Sequence, residues 1–196
     1  MDYRIHIASS LAYALKKLDE IGIAQKVLFQ EGDAAGQLIE NKISILDAGS
    51  RDGWAIELLA SLGYPNAIGV ELLEDYVQYA KGRGRNIVQG DLHNLEFGDE
   101  TFHLVHSRHA LEHCLDPIKV LNELLRVTKK KGALFCSFPL FPEPHAKHTL
   151  ALPNMRIVHK LLKQVEYPWN PIFIGKSSDV GVIPEGNEVI IFLMKR

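Results

Sequence analysis

The chain contains a short apolar run, a glycine turn and a helix pattern in immediate succession, and this combination constrains the fold most. Ile43–Leu46 predicts a buried strand, and the polar segment Asp47–Gly53 follows it directly. Gly49 and Gly53 can adopt positive φ and let a ligand approach the backbone without a Cβ in the way. The apolar spacing of Trp54–Leu62 indicates a helix with one buried face. Strand, glycine turn and helix in this order are typical of a nucleotide-type ligand site at the carboxyl end of a parallel strand.

Carboxylates stand at the ends of three successive predicted strands. Asp47 ends the first strand, Glu71 follows the second and Asp91 follows the third. Because the carboxyl ends of parallel strands lie along one edge of a sheet, these three side chains are expected to share that edge. A carboxylate after the second strand suits the two hydroxyls of a ribose, since it can accept a hydrogen bond from each.

The motifs DAGSRDG, GVE, QGD and HSRHALEHCLDP together resemble the successive motifs of class I S-adenosylmethionine-dependent methyltransferases. The resemblance is strongest to the type 11 branch, which includes the ubiquinone and menaquinone methyltransferases, and it covers about residues 43–139. It implies that S-adenosylmethionine is the cofactor, with Asp47 and the turn glycines against its methionine part. It also implies that Glu71 holds the ribose and that Asp91 with Leu92 reads the adenine. The cofactor-binding residues expected on this basis are Asp47, Gly49, Ser50, Arg51, Gly53, Glu71, Leu72, Asp91, Leu92 and Ser107. The family usually has a further glycine where this chain has Arg51.

The order of predicted elements indicates one α/β domain. Strand patterns at 43–46, 67–70, 86–89, 102–106 and 133–138 alternate with helix patterns at 54–62, 75–81 and 117–127. This alternation predicts a doubly wound, mostly parallel sheet. Two last strands, Trp169–Ile174 and Glu188–Met194, are expected to form an antiparallel hairpin. The resemblance implies a Rossmann-like sheet of seven strands with an antiparallel C-terminal strand.

Three segments divide the 196 residues. Residues 1–40 are expected to be an N-terminal helical segment with a helix over 9–29, and residues 41–139 the cofactor-binding core. Residues 140–196 would supply a substrate-side loop, a helix over 154–165 and the terminal hairpin. Lys129–Lys131 are predicted to lie in a solvated loop after a helix that ends near Val127.

Composition argues against several classes of partner. The formal net charge of −2 predicts no general attraction to nucleic acid. The two cysteines make no disulfide framework, no apolar run is long enough to span a membrane, and the first ten residues lack a signal-peptide core. A cytoplasmic enzyme acting on a small molecule is therefore expected.

Histidines near the predicted ligand edge are the candidates for acid–base chemistry. A base is needed only if the methyl acceptor must lose a proton, and His109, His113 and His148 are the candidate catalytic residues. Arg108 and His145 are candidate substrate-binding residues, and the proline-rich loop 139–153 is expected to close part of the acceptor pocket. His109-Ala-Leu-Glu-His113 also matches an inverted zinc-protease signature, but it follows a strand end and lacks a further ligand, so no metal site is expected.

Two other functions share parts of this pattern. A nicotinamide-dependent oxidoreductase would use the same strand, turn and helix, but its GxGxxG fingerprint needs glycines where Arg51 and Trp54 stand. A pyrophosphate would also meet Asp47 and Asp52, which is a poor electrostatic match. A non-catalytic cofactor- or partner-binding module is the third possibility, and an acceptor pocket without ordered polar groups would favour it.

Overall fold

A computed structural model describes residues 3–23, 42–140, 152, 154–182 and 188–196 of the chain. The strands are β1 (Ile45–Ala48), β2 (Ala67–Glu71), β3 (Ile87–Gln89), β4 (Phe102–Arg108), β5 (Thr128–Pro139), β6 (Trp169–Lys176) and β7 (Glu188–Lys195). The α-helices of these residues are α1 (Tyr3–Glu20), α2 (Trp54–Ser61), α3 (Glu74–Lys81), α4 (Pro117–Val127) and α5 (Met155–Leu162). Short 3₁₀ turns cover Leu111–His113 and Ser177–Val180.

All seven strands lie in one sheet with the order β3-β2-β1-β4-β5-β7-β6. Neighbouring strands from β3 to β5 are parallel, whereas β7 is antiparallel to both β5 and β6. The predicted doubly wound sheet with an antiparallel C-terminal strand is thus confirmed. After β1 the chain builds β2 and β3 on one side and then returns to place β4 on the other. The carboxyl ends of β1 and β4 therefore form the switch point at which such sheets bind ligands.

Helices cover both faces of the sheet. On one face α4 and α5 bury Leu121, Leu124 and Val158 against strand residues such as Leu46. On the other face α1 and α2 pack their apolar sides against β1, β4, β5 and β7. Because successive strand residues point to opposite faces, Ile45 joins the second core and Leu46 the first. Among the described helices, none is long and apolar enough to cross a membrane.

The N-terminal helix begins earlier than the sequence pattern predicts. It starts at Tyr3 and ends at Glu20, instead of covering 9–29, and residues 24–29 lie outside the described part of the chain. The buried face is Ser10, Leu11, Ala14 and Leu18. The first turn lacks this apolar spacing, and it is held instead by a hydrogen bond from the Tyr3 hydroxyl to Asp52 Oδ2 at 2.6 Å. A tertiary contact of this kind leaves no periodic signal in the sequence.

Three other boundaries also differ from the predictions. Lys129–Lys131 belong to β5 and not to a solvated loop, because β5 already begins at Thr128, paired with Phe102 of β4. The pairing register of β4 with β5 shifts between Phe102 and Leu104, and Lys131 has a φ of 61°. The extra residues of β5 therefore form a local irregularity in the strand. β5 also ends at Pro139, one residue beyond the predicted 138, and α5 ends at Leu162, before the predicted residue 165.

Candidate active site at the carboxyl edge of the sheet

The glycine turn after β1 has a left-handed backbone at three alternate positions. Gly49, Arg51 and Gly53 have φ values of 80°, 53° and 72°. Arg51 thus keeps the backbone shape that a glycine would adopt there, at a cost of about 1–2 kcal/mol. The N–H groups of Gly49 and Ser50 both donate to the carbonyl of Val70, at 3.0 and 2.9 Å, and so join the turn to the end of β2.

The glycines of this turn also allow close packing. A Cβ at Gly49 would lie 2.5 Å from the Cβ of Ala110, so only glycine lets the segment after β4 approach the turn. Ser50 is buried, and its side chain lies over Gly69 of β2, where a Cβ would come within 2.6 Å of Ser50 Oγ. Part of the glycine pattern that suggested a ligand site therefore serves the protein's own packing.

The side chain of Arg51 lies between two tyrosines. Its guanidinium stands 5.1 Å from the ring centroid of Tyr3 and 5.6 Å from that of Tyr76. Such cation–π contacts connect the start of α1 and the helix α3 to the turn. A cavity of about 320 Å³ opens beside this stack. It is lined by Tyr3, Arg51, Asp52, Asp75, Tyr76 and Tyr79.

Glu71 is fixed by two backbone donors. Its Oε2 accepts the Arg51 N–H at 2.9 Å, and its Oε1 accepts the Leu73 N–H at 3.0 Å. A carboxylate has about four lone-pair sites, so both oxygens keep acceptor capacity for a ligand. The neighbouring Leu72 is 60% exposed and supplies apolar surface beside the carboxylate.

Asp91 is held by the residue two positions further along the chain. Its Oδ1 accepts the His93 backbone N–H at 2.9 Å and lies 2.6 Å from His93 Nδ1. These two hydrogen bonds lower the pKa of Asp91, which keeps the carboxylate ionised. His93 Nε2 accepts the N–H of Asp116, the N-cap residue of α4, at 3.2 Å. Leu92, between them, is half-buried against the core under α4.

Asp47 is buried and paired with a histidine of the neighbouring strand. Only 5% of Asp47 is exposed, and its Oδ1 lies 2.8 Å from Nδ1 of His106, its register partner in β4. The other ring nitrogen of His106 lies 3.0 Å from Oγ of Ser10 in α1. The sequence pattern gave His106 no role, although its position opposite Asp47 follows once β1 and β4 are paired.

The end of β4 carries a second group of charged side chains. Ser107 is buried and donates its hydroxyl proton to the carbonyl of Ala48 at 3.0 Å. Nη2 of Arg108 lies 3.5 Å from Glu188 Oε2 and 3.4 Å from His6 Nδ1. Burial lowers the pKa of Arg108, while the charge of Glu188 opposes this shift. The positive charge predicted to hold an anionic substrate group is therefore already balanced by a carboxylate of β7.

His109 lies between two carboxylates at this edge. Its Nε2 is 3.2 Å from Glu188 Oε1 and its Nδ1 is 3.4 Å from Glu112 Oε1, and its side chain is 38% exposed. Burial raises the pKa of Glu112. Burial would also raise the pKa of Glu188, but the close contact with His109 and the charge of Arg108 outweigh it and lower that pKa. The position of Glu188, at the start of the last strand, gave no sequence signal for a role in the site.

Of the other candidate histidines, the structure describes His113, which interacts electrostatically with Glu112 of this cluster. His113 is exposed in the 3₁₀ turn. His145 and His148, with most of the loop 139–153, lie outside the described residues. Within the ranges that the structure describes, no group of three His, Cys, Asp or Glu side chains could hold a metal ion.

Part of the chain is similar to a known protein family. A family model described as a methyltransferase domain matches residues 46–136, from β1 into β5. No curated protein matches this sequence.

Solved structures share the fold at low sequence identity. An S-adenosylmethionine-dependent methyltransferase from Mesorhizobium loti has 14% identity and a TM-score of 0.62, with 78% of this chain and 91% of that chain covered. A second one, from Aquifex aeolicus, has 15% identity and a TM-score of 0.60, with 97% and 98% covered. The [4+2]-cyclase SpnF has 14% identity and a TM-score of 0.63, with 89% and 80% covered. At these identities the likeness supports the fold alone, and this fold also serves a cyclase.

Proposed function

We propose that this chain is a class I S-adenosylmethionine-dependent methyltransferase and that it transfers the cofactor's methyl group to a small-molecule acceptor. One observation carries the proposal. The strands β3, β2 and β1 are adjacent and parallel, and each is followed or ended by a carboxylate that the protein holds with hydrogen bonds. The three acids are thus fixed along the edge where such sheets bind ligands.

The donor set fits S-adenosylmethionine. The two oxygens of Glu71 can each accept a ribose hydroxyl while they keep their backbone donors. Leu72 and Leu92 offer apolar surface for the adenine, and the ionised Asp91 can accept a hydrogen bond from its amino group. Asp47 would face the methionine part beside the glycine turn. The contact roles expected of Gly49, Ser50, Arg51, Gly53 and Ser107 are part of the same proposal.

When bound, the cofactor supplies an activated methyl group on a sulfonium. The protein then needs mainly to hold donor and acceptor in line, and such orientation can contribute about 7–11 kcal/mol. The acceptor would lie at the carboxyl ends of β4 and β5, beside Arg108 and His109. His109, oriented by Glu188 and Glu112, is the described histidine best placed to receive a proton from an acceptor. His113, His145 and His148 remain further candidates.

The small-molecule acceptor and the location are inferred from charge and from the cysteines. A net charge of −2 gives no general attraction to nucleic acid. Neither Cys114 nor Cys136 forms a disulfide bond, both are buried, and burial raises the pKa of Cys114 to about 12. Inert, reduced thiols of this kind support a cytoplasmic location.

A thermal-shift panel tests the choice of cofactor. S-adenosylmethionine and S-adenosylhomocysteine are expected to raise the melting temperature, because a ligand that binds only the native state stabilises it. NAD(H) and NADP(H) are expected to leave it unchanged, and a shift with the dinucleotides alone would contradict the proposal. Transfer of a labelled methyl group to an acceptor then separates methyl transfer from the cyclase-type use of the fold. Cofactor binding without transfer to any metabolite class would favour the non-catalytic module.

A further inference from the structure

A row of paired side chains crosses the sheet beneath α1. Asp47 of β1 is the register partner of His106 in β4. His106 is in turn the partner of Phe135 in β5, and Phe135 is the partner of Phe192 in β7. The rings of His106 and Phe135 are stacked, with centroids 5.2 Å apart and an interplanar angle of 10°. The His106 ring is therefore fixed by packing on one face and by hydrogen bonds at both nitrogens.

The helix α1 contacts this row with two side chains. Ser10 Oγ lies 3.0 Å from His106 Nε2, and the Tyr13 ring packs against Phe135 and Phe192 at centroid distances of 6.4 and 6.1 Å. Ser10 and His106 are 0% and 1% exposed, so water does not compete for their contact. Serine, histidine and aspartate in this order resemble a catalytic triad, but no substrate could reach a serine buried under its own helix.

The same helix is tied to the glycine turn at a second place. The Tyr3 hydroxyl donates to Asp52 Oδ2 at 2.6 Å, while Ser10 reaches Asp47 through His106. The two connections bracket the turn between Asp47 and Gly53. A change in the position of α1 would therefore alter the contacts at both ends of the segment that would face the methionine part of the cofactor.

We propose that Ser10, His106 and Asp47 form a buried relay that couples the docking of α1 to the amino-acid end of the bound cofactor. His106 is a positioning residue, because it holds one oxygen of Asp47 and leaves the other for the ligand. Ser10 makes this arrangement depend on the docked helix. The inference rests on the proposed function, since it needs a cofactor with an amino-acid end beside Asp47.

Two ligands distinguish an effect of the relay from an effect on the rest of the cofactor site. S-adenosylhomocysteine carries the amino-acid end, whereas 5′-methylthioadenosine lacks it and keeps the adenosine. In the wild type, S-adenosylhomocysteine is expected to slow amide hydrogen exchange in α1 more than methylthioadenosine does. In Ser10→Ala this difference should disappear, and affinity for S-adenosylhomocysteine should fall about two- to tenfold, the range for one lost hydrogen bond. Affinity for methylthioadenosine should not change.

Ser9→Ala is the matched control, because Ser9 is in the same helix and its hydroxyl donates only to the Ile5 carbonyl at 2.9 Å. It should behave as the wild type with both ligands. His106→Gln is the second variant. Its affinity for S-adenosylhomocysteine should also fall, while its affinity for methylthioadenosine should not change.

Three outcomes would overturn the relay. The first is that S-adenosylhomocysteine still slows amide exchange in α1 of Ser10→Ala more than methylthioadenosine does, as in the wild type. The second is an equal loss of affinity for both ligands in Ser10→Ala and in His106→Gln, which would indicate a general effect on the fold. The third is a wild type that binds neither ligand, and this outcome alone would also contradict the proposed function.

Discussion

Two strand-end aspartates are each held by a histidine, but the two pairs are built in different ways. In the Asp47–His106 pair the side chains are 7% and 1% exposed and the contact is 2.8 Å. In the Asp91–His93 pair they are 55% and 21% exposed and the contact is 2.6 Å. The first pair depends on the register of two strands and on the stacked ring of Phe135. The second depends on a local turn, since His93 follows Asp91 by two residues.

The difference has an energetic consequence. Removing one member of a buried hydrogen-bonded pair leaves an unsatisfied polar group in a low dielectric, whereas water replaces the contact in an exposed pair. We therefore expect the buried pair to contribute to stability and to the docking of α1. The exposed pair should act mainly on the ligand, by fixing an ionised acceptor at the adenine end of the site.

Loss of the buried carboxylate gives the largest expected effect. Asp47→Ala should lower the free energy of unfolding by about 3 kcal/mol, the upper end of the range for a buried group left without its hydrogen-bond partner, because Nδ1 of His106 would lose its contact in the core. Asp91→Ala should lower it by less than about 1 kcal/mol, as for an exposed pair. Urea unfolding of both variants, with Asp47→Asn as an isosteric control, measures the contrast. Equal losses in the two alanine variants would show that burial does not distinguish the pairs.

Glu71→Ala tests a third way of holding an acid, by backbone donors alone. Affinity for S-adenosylhomocysteine should weaken by about 1.5–3 kcal/mol, the range for hydrogen bonds to a charged group. Unfolding should be nearly unchanged, because Glu71 lies at a strand end and outside both cores. Calorimetric titration measures the affinity, and Glu71→Gln controls for the loss of side-chain volume. An unaltered affinity would remove Glu71 from the ribose site.

The smallest effect is expected for His93, the histidine of the more exposed pair. His93→Ala should weaken binding of S-adenosylhomocysteine and of 5′-methylthioadenosine equally, by about 0.5–1.5 kcal/mol, since both ligands carry the adenine that Asp91 would read. Exposed Asn94 provides the matched control as Asn94→Ala. A loss of affinity for S-adenosylhomocysteine alone would place His93 at the amino-acid end of the ligand. It would contradict the proposal that the two pairs act at different ends of the site.

The contrast between the pairs also explains what the sequence could predict. The alternation of strands and helices predicted the sheet, and the strand ends predicted the edge shared by Asp47, Glu71 and Asp91. The side chains that contact these site residues were not predicted. His106 meets Asp47 only through strand register, and Glu188 reaches His109 only because β7 is antiparallel next to β5. Contacts that depend on pairing between distant segments have no local periodicity.

The first turn of α1 shows the same limit in a helix. Leu11 and Leu18 follow the apolar spacing of this helix, and both are buried. Tyr3 carries no such pattern, and its place beside Asp52 and Arg51 depends on the folded turn. Arg51 itself departs from the glycine usual in the family, yet its φ of 53° keeps the turn in the left-handed conformation.

A crystal structure with S-adenosylhomocysteine bound would test the central claim most directly. The account predicts both ribose hydroxyls within hydrogen-bond distance of the Glu71 carboxylate, the adenine amino group beside Asp91 and the amino-acid end beside Asp47. The hydrogen bonds of Glu71 to the Arg51 and Leu73 N–H groups should persist. A ligand bound elsewhere, or one whose ribose does not contact Glu71, would contradict it.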